Sequence, residues 1–459
     1  MIDSLRLAIE RFHFDRRIFF LVYVVVGVPY LFLTGPFRAP DERNHFLRSY
    51  EISEFRFAPF RSPGGVVGDN LPAGLSRLSE ALGLHSEHRI EASQMEAARS
   101  AQLQPEQREF AEFSTAIYSP LAYLPSAISI AIGRAFGAGP LALVYFARWG
   151  NLLVGSWLIA CALSYAGYAR LPASVVALFP MTVSQVATVT ADAMSFGFAF
   201  LWISLVMETA VAGKGAMTLK RKVALVLLAL ALSQLRPPYP LLGLLVLLVP
   251  ARRFGRMGPL LLCAVILASL LPAAAWNGSA AHLYAKPDNG QRIEPREQLH
   301  WVAQHPGIFW HRVKLDLKTH GIDYWEQLVG RLGWLNIALP GWIYAGFAAA
   351  LVTLTFLGTK SPPWPSWRQR TVLGAVVLLG IMAIDFMLYL TFNGVGSPFI
   401  LGVQGRYFTA LALVAGFACS NDRLNRPRWN TACLIGCTAF VAIGHCGAWV
   451  CLARASGKI

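Results

Sequence analysis

The sequence predicts an all-α polytopic membrane protein: a bundle of about eleven transmembrane helices, with amphipathic helices in two extracytoplasmic loops. Three observations predict it. Apolar and aromatic residues make up 55% of the 459 residues and charged residues only 14%, whereas soluble domains carry about 25% charged residues. Apolar stretches that approach the ~20 residues of a helical span recur along the chain. Basic residues gather in the short linkers between those stretches. This composition excludes an ordinary soluble enzyme, a disordered chain and a secreted disulfide scaffold.

The elements follow in order. Arg6, Arg11, Arg16 and Arg17 precede an apolar run over 18–35. The run is long enough to span, and no small-residue cleavage site follows, so it reads as a retained first helix. Further apolar stretches occupy 119–137, 140–167, 172–189, 192–211, 223–250, 258–276, 337–357, 371–392, 400–418 and 430–452. The polar segments 36–118 and 277–335 interrupt them. The short linkers 1–17, 213–222, 252–256, 359–370 and 420–428 hold most of the +15 net charge. Basic short loops mark the cytoplasmic side, so the charge is a topology signal, and nucleic acid is not expected as a partner. The segment 36–118 has nine Arg, no Lys and twelve acids. It is expected outside, with the N-terminus inside.

Parity then constrains the path. The stretch 223–250 lies between two basic linkers, so it must go out and return. It is short for two full spans, and Pro237, Pro238 and Pro240 break it. Two half-helices are expected, with their tip buried in protein, because irregular backbone cannot face lipid. One of the three stretches between 118 and 192 must not cross. The expectation falls on 119–137, which puts the C-terminus outside. Residues 60–115 are expected to be helical and amphipathic. The loop 277–335, with Trp310, Tyr324, Trp325 and Trp334, is expected to lie on the bilayer surface. Residues 1–459 then form a single integral membrane domain. All seven Cys lie in apolar runs and read as core residues, not as metal ligands.

Candidate chemistry begins just after the first span. Asp41, His45 and Arg48 fall at i, i+4 and i+7 of a helix that Pro40 can open. A carboxylate, an imidazole and a guanidinium on one face suit proton abstraction beside an anionic substrate. The same spacing is also that of an ordinary helix start with solvated partners. Polar groups inside apolar runs add to the set: Arg148, Asn151, Asp192, Arg236, Asp385 and Arg406. Such groups default to function. By the topology above, Asp41, Asp192, Arg236 and Arg406 lie at one depth near the outer surface. The alternative reading is structural ion pairs between helices, and Arg148 and Asp385 are assigned to helix packing. No P-loop lysine motif and no convincing zinc spacing occur.

At these residues the chain resembles a known family. The series is Pro40-Asp41-Glu42 with His45, Tyr118-Ser119-Pro120-Leu121-Ala122-Tyr123-Leu124-Pro125, Arg148 with Asn151, Pro180, and Asp192-Ala193. It continues with Pro237-Pro238-Tyr239, Gly333-Trp334-Leu335 and Gly402-Val403-Gln404-Gly405-Arg406-Tyr407-Phe408. It resembles the bacterial membrane-protein family known as domain of unknown function 2142, which looks like part of the C-type glycosyltransferase fold. Relatives there include the aminoarabinose lipid A transferases and the protein O-mannosyltransferases. Asp41 matches the catalytic acid of the first outer loop in those enzymes, with Glu42 beside it, and Asp192 matches a second acid. The family commonly has Lys where Arg236 stands, so the cation is kept but changed in type.

The resemblance implies a bacterial inner-membrane enzyme with its site on the periplasmic face, acting in cell-envelope polysaccharide or lipopolysaccharide modification. It would transfer a sugar from a polyprenyl-phosphate donor to an acceptor hydroxyl on a glycan or lipid-linked acceptor, with inversion. Asp41, Glu42 and Asp192 form the expected catalytic set. His45, Arg48, Tyr118, Arg236, Tyr239, Gln404, Arg406 and Tyr407 form the expected binding set. No cofactor is predicted; a divalent cation between Asp41, Glu42 and Asp192 is an open alternative to neutralisation by Arg. The rival functions are a transporter or flippase of lipid-linked sugars, and a non-catalytic subunit of a polysaccharide assembly complex.

Overall fold

The structure, a computed structural model, describes residue 13 and residues 15–83, 89–211, 215–284, 293–357, 364–423 and 427–458. Part of each of the basic linkers 1–17, 213–222, 359–370 and 420–428 falls outside those residues. The fold is mostly helical. Among the described residues, six helices are long and apolar enough to cross a membrane: Arg16–Leu33, Pro140–Tyr165, Asp192–Val211, Gly258–Leu283, Trp367–Phe392 and Asn430–Ala455. The first of these, α1 (Arg16–Leu33), starts where the Asp15 carboxylate accepts hydrogen bonds from the Arg17 and Ile18 amides, the usual way to satisfy unpaired N–H groups at a helix start.

The segment 36–118 corrects one expectation. It contains α2 (Glu42–Ser53), then β1 (Phe60–Arg61), β2 (Val67–Pro72), α3 (Ala73–Leu82), α4 (Ala92–Ser100) and β3 (Arg108–Glu112). The three strands form an antiparallel sheet in the order β1-β2-β3, with Gly68 opposite both Phe60 and Glu112. Residues 60–115 are therefore not helical throughout. The sheet is hidden in the sequence because its central strand runs through Gly68-Asp69-Asn70, residues depleted in strands, without apolar alternation. Val67 and Leu71 of β2 instead enter a core shared with Phe46, Leu47 and Tyr50 of α2 and Leu75, Leu78 and Leu82 of α3.

The stretch 119–137 yields a 3-10 turn and a short helix, α5 (Leu124–Ala135), which packs against α6 (Pro140–Tyr165). The stretch 172–189 is broken into α7 (Arg170–Ala177) and α8 (Pro180–Val186). Every residue of α8 is buried, so the irregular backbone between the two pieces is screened from lipid by protein. Next come α9 (Asp192–Val211) and α10 (Leu219–Ser233). Helix α10 stops at Gln234, and 3-10 turns resume over Tyr239–Leu248. This is the broken pair that the prolines foretell.

After α11 (Gly258–Ala280) come α12 (Pro295–Gln304) and α13 (Pro306–Gly330), then α14 (Gly341–Leu357) and α15 (Trp367–Phe392). A turn over Gly405–Phe408, α16 (Thr409–Cys419) and α17 (Pro427–Ala455) complete the order. The two ends of the bundle differ. At one end the basic linkers touch one another: the Met217 amide donates to the Arg253 carbonyl, and Arg370 donates to the carbonyls of Ala418 and Ser420. At the other end the chain leaving α17 returns to the end of α1 and to the segment 36–118. There Lys458 Nζ donates to the Phe32 carbonyl and Arg89 to the Gly457 carbonyl.

Candidate active site

Asp41 sits at the N-cap of α2, but its backbone is left-handed, with φ 59° and ψ 10°. Asp tolerates that region better than most residues. Its carboxylate caps no amide. The side chain is 45% exposed, and one oxygen lies 3.7 Å from Arg406 Nη2. One residue later, Glu42 points the other way. Its oxygens accept from Arg148 Nε and Nη2 at 2.7 Å, and from the amides of Phe37 and Val189 at 3.0 Å. Both side chains of that pair are fully buried. This corrects the expectation that Glu42 acts beside Asp41: Asp41 precedes the helix in left-handed backbone and Glu42 begins it, and their side chains part there. Arg148, assigned to packing, does pack.

Asp192 begins α9 and is 2% exposed. Arg236, from the tip between α10 and the 3-10 turns, donates to Asp192 Oδ1 at 2.5 Å. Arg406 Nη1 approaches Asp192 Oδ2 at 3.3 Å, out of line for a hydrogen bond, so that oxygen accepts none among the described residues. Arg406 also donates from Nε to Gln404 Oε1 at 2.7 Å and from Nη1 to Gln185 Oε1 at 2.9 Å. The Arg236 guanidinium stands over two rings, Tyr407 at 4.5 Å and Tyr118 at 5.7 Å. Tyr239 is buried within electrostatic reach of Asp192, Arg236 and Arg406. Charge in this cluster is uneven. Asp192 lies between two guanidinium groups, and Asp41, the other acid, is half in solvent.

His45 and Arg48 do not join Asp41 on an open face, which corrects the reading that all three converge on a substrate. His45 is 3% exposed, its Nδ1 is 2.7 Å from Tyr123 Oη, and its ring stacks on Tyr118. Burial lowers its pKa to about 4, with Asp41 pulling the other way. Arg48 is fully buried, bonded to Glu51 at 2.5 Å and to the Tyr118 carbonyl at 3.4 Å. Burial still pushes Glu51 up to about 7, against the pull of Arg48. Both residues therefore support Tyr118 from behind. Nor do Asp41, Glu42 and Asp192 form a cation cradle, since Glu42 is turned onto Arg148. Among the described residues no three His, Cys, Asp or Glu side chains gather as metal ligands.

Gln185 escaped the sequence reading, and Tyr123 and Ser119 stood in the family series without an assigned contact. Gln185 holds Arg406 from α8; a glutamine inside the apolar run 172–189 was the available signal. Tyr123 holds His45, and Ser119 donates to Gln234 Oε1 at 2.9 Å, tying the turn before α5 to the end of α10.

Fold and site together define a helical, polytopic membrane protein with a charged cluster where its broken helices meet the folded segment 36–118. A family model described as "Predicted membrane protein (DUF2142)" matches residues 24–415, and the chain belongs to that family. No curated protein and no solved structure matches it.

Proposed function

We propose that the chain is a membrane glycosyltransferase with a C-type-like bundle of about eleven crossings, set in a bacterial inner membrane with the cluster on the periplasmic face. It moves a sugar from a polyprenyl-phosphate donor to an acceptor hydroxyl. One observation carries the reading: a half-exposed, uncapped carboxylate, Asp41, stands 3.7 Å from a buried guanidinium that shares Asp192 with a second one. Asp41 takes the proton of the acceptor hydroxyl, whose oxygen attacks the anomeric carbon as the bond to the phosphate oxygen breaks. The lipid phosphate leaves with one more negative charge than the donor carried. Two guanidinium groups against one buried carboxylate leave a positive surplus for that charge. Asp192, buried between the two guanidinium groups, holds both at the site. One base and no separate nucleophile give inversion.

The test is transfer by purified protein in vesicles containing a polyprenyl-phosphate sugar and an acceptor. Asp41→Asn is expected to lower transfer by about 10²- to 10⁴-fold while the donor still binds. Unchanged transfer in that variant would remove the proposed base. Donor translocation without any transfer by the unmodified protein would favour the flippase.

A further inference from the structure

The segment 36–118 holds two buried acids that the proposed reaction does not use. Glu51 lies near the end of α2 and Asp69 in β2, and both are fully buried. Each carboxyl group has one satisfied oxygen. Glu51 Oε2 accepts from Arg48 Nη1 at 2.5 Å. Asp69 Oδ1 accepts from Arg56 and, at 2.7 Å, from the Asn70 amide. The other two oxygens, Glu51 Oε1 and Asp69 Oδ2, are buried and meet no donor among the described residues. Yet the two carboxyl groups stand within hydrogen-bond reach of each other. Ionised carboxylates can only accept, and two of them sharing a site do not both stay charged. One proton removes the conflict: an O–H donates across the gap, and both bare oxygens gain a partner.

The surrounding charges do not remove the need for it. Arg48 faces the pair from α2, Arg56 from the turn after α2 and Arg108 from β3. Arg108 is itself paired with Glu54, which Arg134 of α5 also meets, and Arg134 lies over the Tyr50 ring. Burial pushes both carboxyl groups up, Glu51 to about 7, against the pull of Arg48 and Arg56. The pair reaches the charged cluster in two steps. Arg48 joins Glu51 to the Tyr118 carbonyl, which it meets at 3.4 Å, and the Tyr118 ring lies 5.7 Å from the Arg236 guanidinium. We propose that Glu51 and Asp69 share one proton, which keeps α2 docked on β2 and so keeps Arg48 against Tyr118. When the proton leaves, two buried negative charges face each other, α2 and β2 part, and Arg48 follows the ionised Glu51 away from Tyr118. Both acids are positioning residues. The effect on turnover rests on the glycosyl-transfer reading; the shared proton does not.

The test uses the full-length chain in detergent. Glu51→Gln keeps the shape, and its amide donates to Asp69 without a titrating proton. The folded pair keeps a proton that the unfolded chain gives up. Its stabilisation is therefore full below pH 4.5 and is lost as pH rises towards 7. Over that window thermal midpoints of the unmodified chain are expected to fall relative to those of Glu51→Gln and of Asp69→Asn. The opposing slope from His45 is common to all three and cancels. Parallel curves for all three would overturn the shared proton. Hydrogen exchange of residues 115–123, corrected for its intrinsic rise with pH, is expected to speed up above pH 7 in the unmodified chain and not in Glu51→Gln. Equal exchange in the two would overturn the positioning role. Transfer by the unmodified chain should drop about fivefold from pH 7 to pH 8, as for one group titrating near 7, and hold in Glu51→Gln. Absence of transfer at every pH would remove the reaction alone, since midpoints and exchange decide the proton without it.

Discussion

Adjacent acids can have opposite roles. Asp41 and Glu42 are neighbours in sequence, yet one is half in solvent and the other is locked to Arg148. Removing one partner of a buried pair strands the other charge, so Glu42→Ala is expected to cost about 3–5 kcal/mol. The loss would appear as a lower thermal midpoint in detergent, whereas Asp41→Asn should leave that midpoint in place. His45 makes a second prediction. With its folded pKa at about 4 against 6.5 for the unfolded chain, the unfolded state binds the proton first as pH falls. The cost to stability is absent above pH 6.5, grows as pH drops towards 4 and then levels off, on the order of 3 kcal/mol. Thermal midpoints of the unmodified chain should therefore fall more steeply over that window than those of His45→Gln. Parallel curves would count against a buried neutral imidazole. Residue types and charge depth made Asp41, Asp192, Arg236 and Arg406 legible from sequence. The direction of the Glu42 side chain was not legible, because it depends on Arg148 across a packed interface, whereas Arg48 turns to Glu51 one turn on along its own helix.

At the scale of elements, the turn that carries Arg406 is held by backbone contact. A Cβ on Gly405 would lie 2.1 Å from the Tyr324 carbonyl oxygen and 2.6 Å from the Leu328 amide, both on α13. Gly405→Ala must push the turn off that helix and shift Arg406 from Asp192 and Asp41. Loss of both transfer and thermal stability is the expected result. Gly374→Ala on α15, where a Cβ meets nothing within 4 Å, is expected to change neither. The broken helix at 234–238 could be read in advance because Pro237, Pro238 and Pro240 crowd into four residues, whereas the single Pro29 of α1 and Pro272 of α11 leave their helices unbroken. The β1-β2-β3 sheet could not, because its central strand is set by neighbours far away in sequence, such as Phe46 and Leu78, and not by its own alternation.

Across the whole molecule, the gathering of the basic linkers at one end sets up a labelling test. In a cysteine-free background, an impermeant thiol reagent added to intact cells should reach Glu96→Cys and Lys458→Cys, which lie at the outer-segment end. It should miss Arg252→Cys, in a linker at the other end. Reaction of Lys458→Cys only after cell rupture would reverse the expected side of the C-terminus. Charge asymmetry made the two ends readable from the sequence, since it needs only counting. The path between 119 and 192 resisted, because short pieces stabilised by burial look like full spans in hydropathy alone. Those short pieces have a consequence for the surrounding lipid. Helix α10 has fifteen residues, roughly 22 Å of rise, against a hydrocarbon layer of about 30 Å. A helix this short meets lipid by local thinning, by flanking side chains that reach to the headgroups or by association with neighbours, and under the proposed topology thinning beside α10 would carry headgroups towards Arg236.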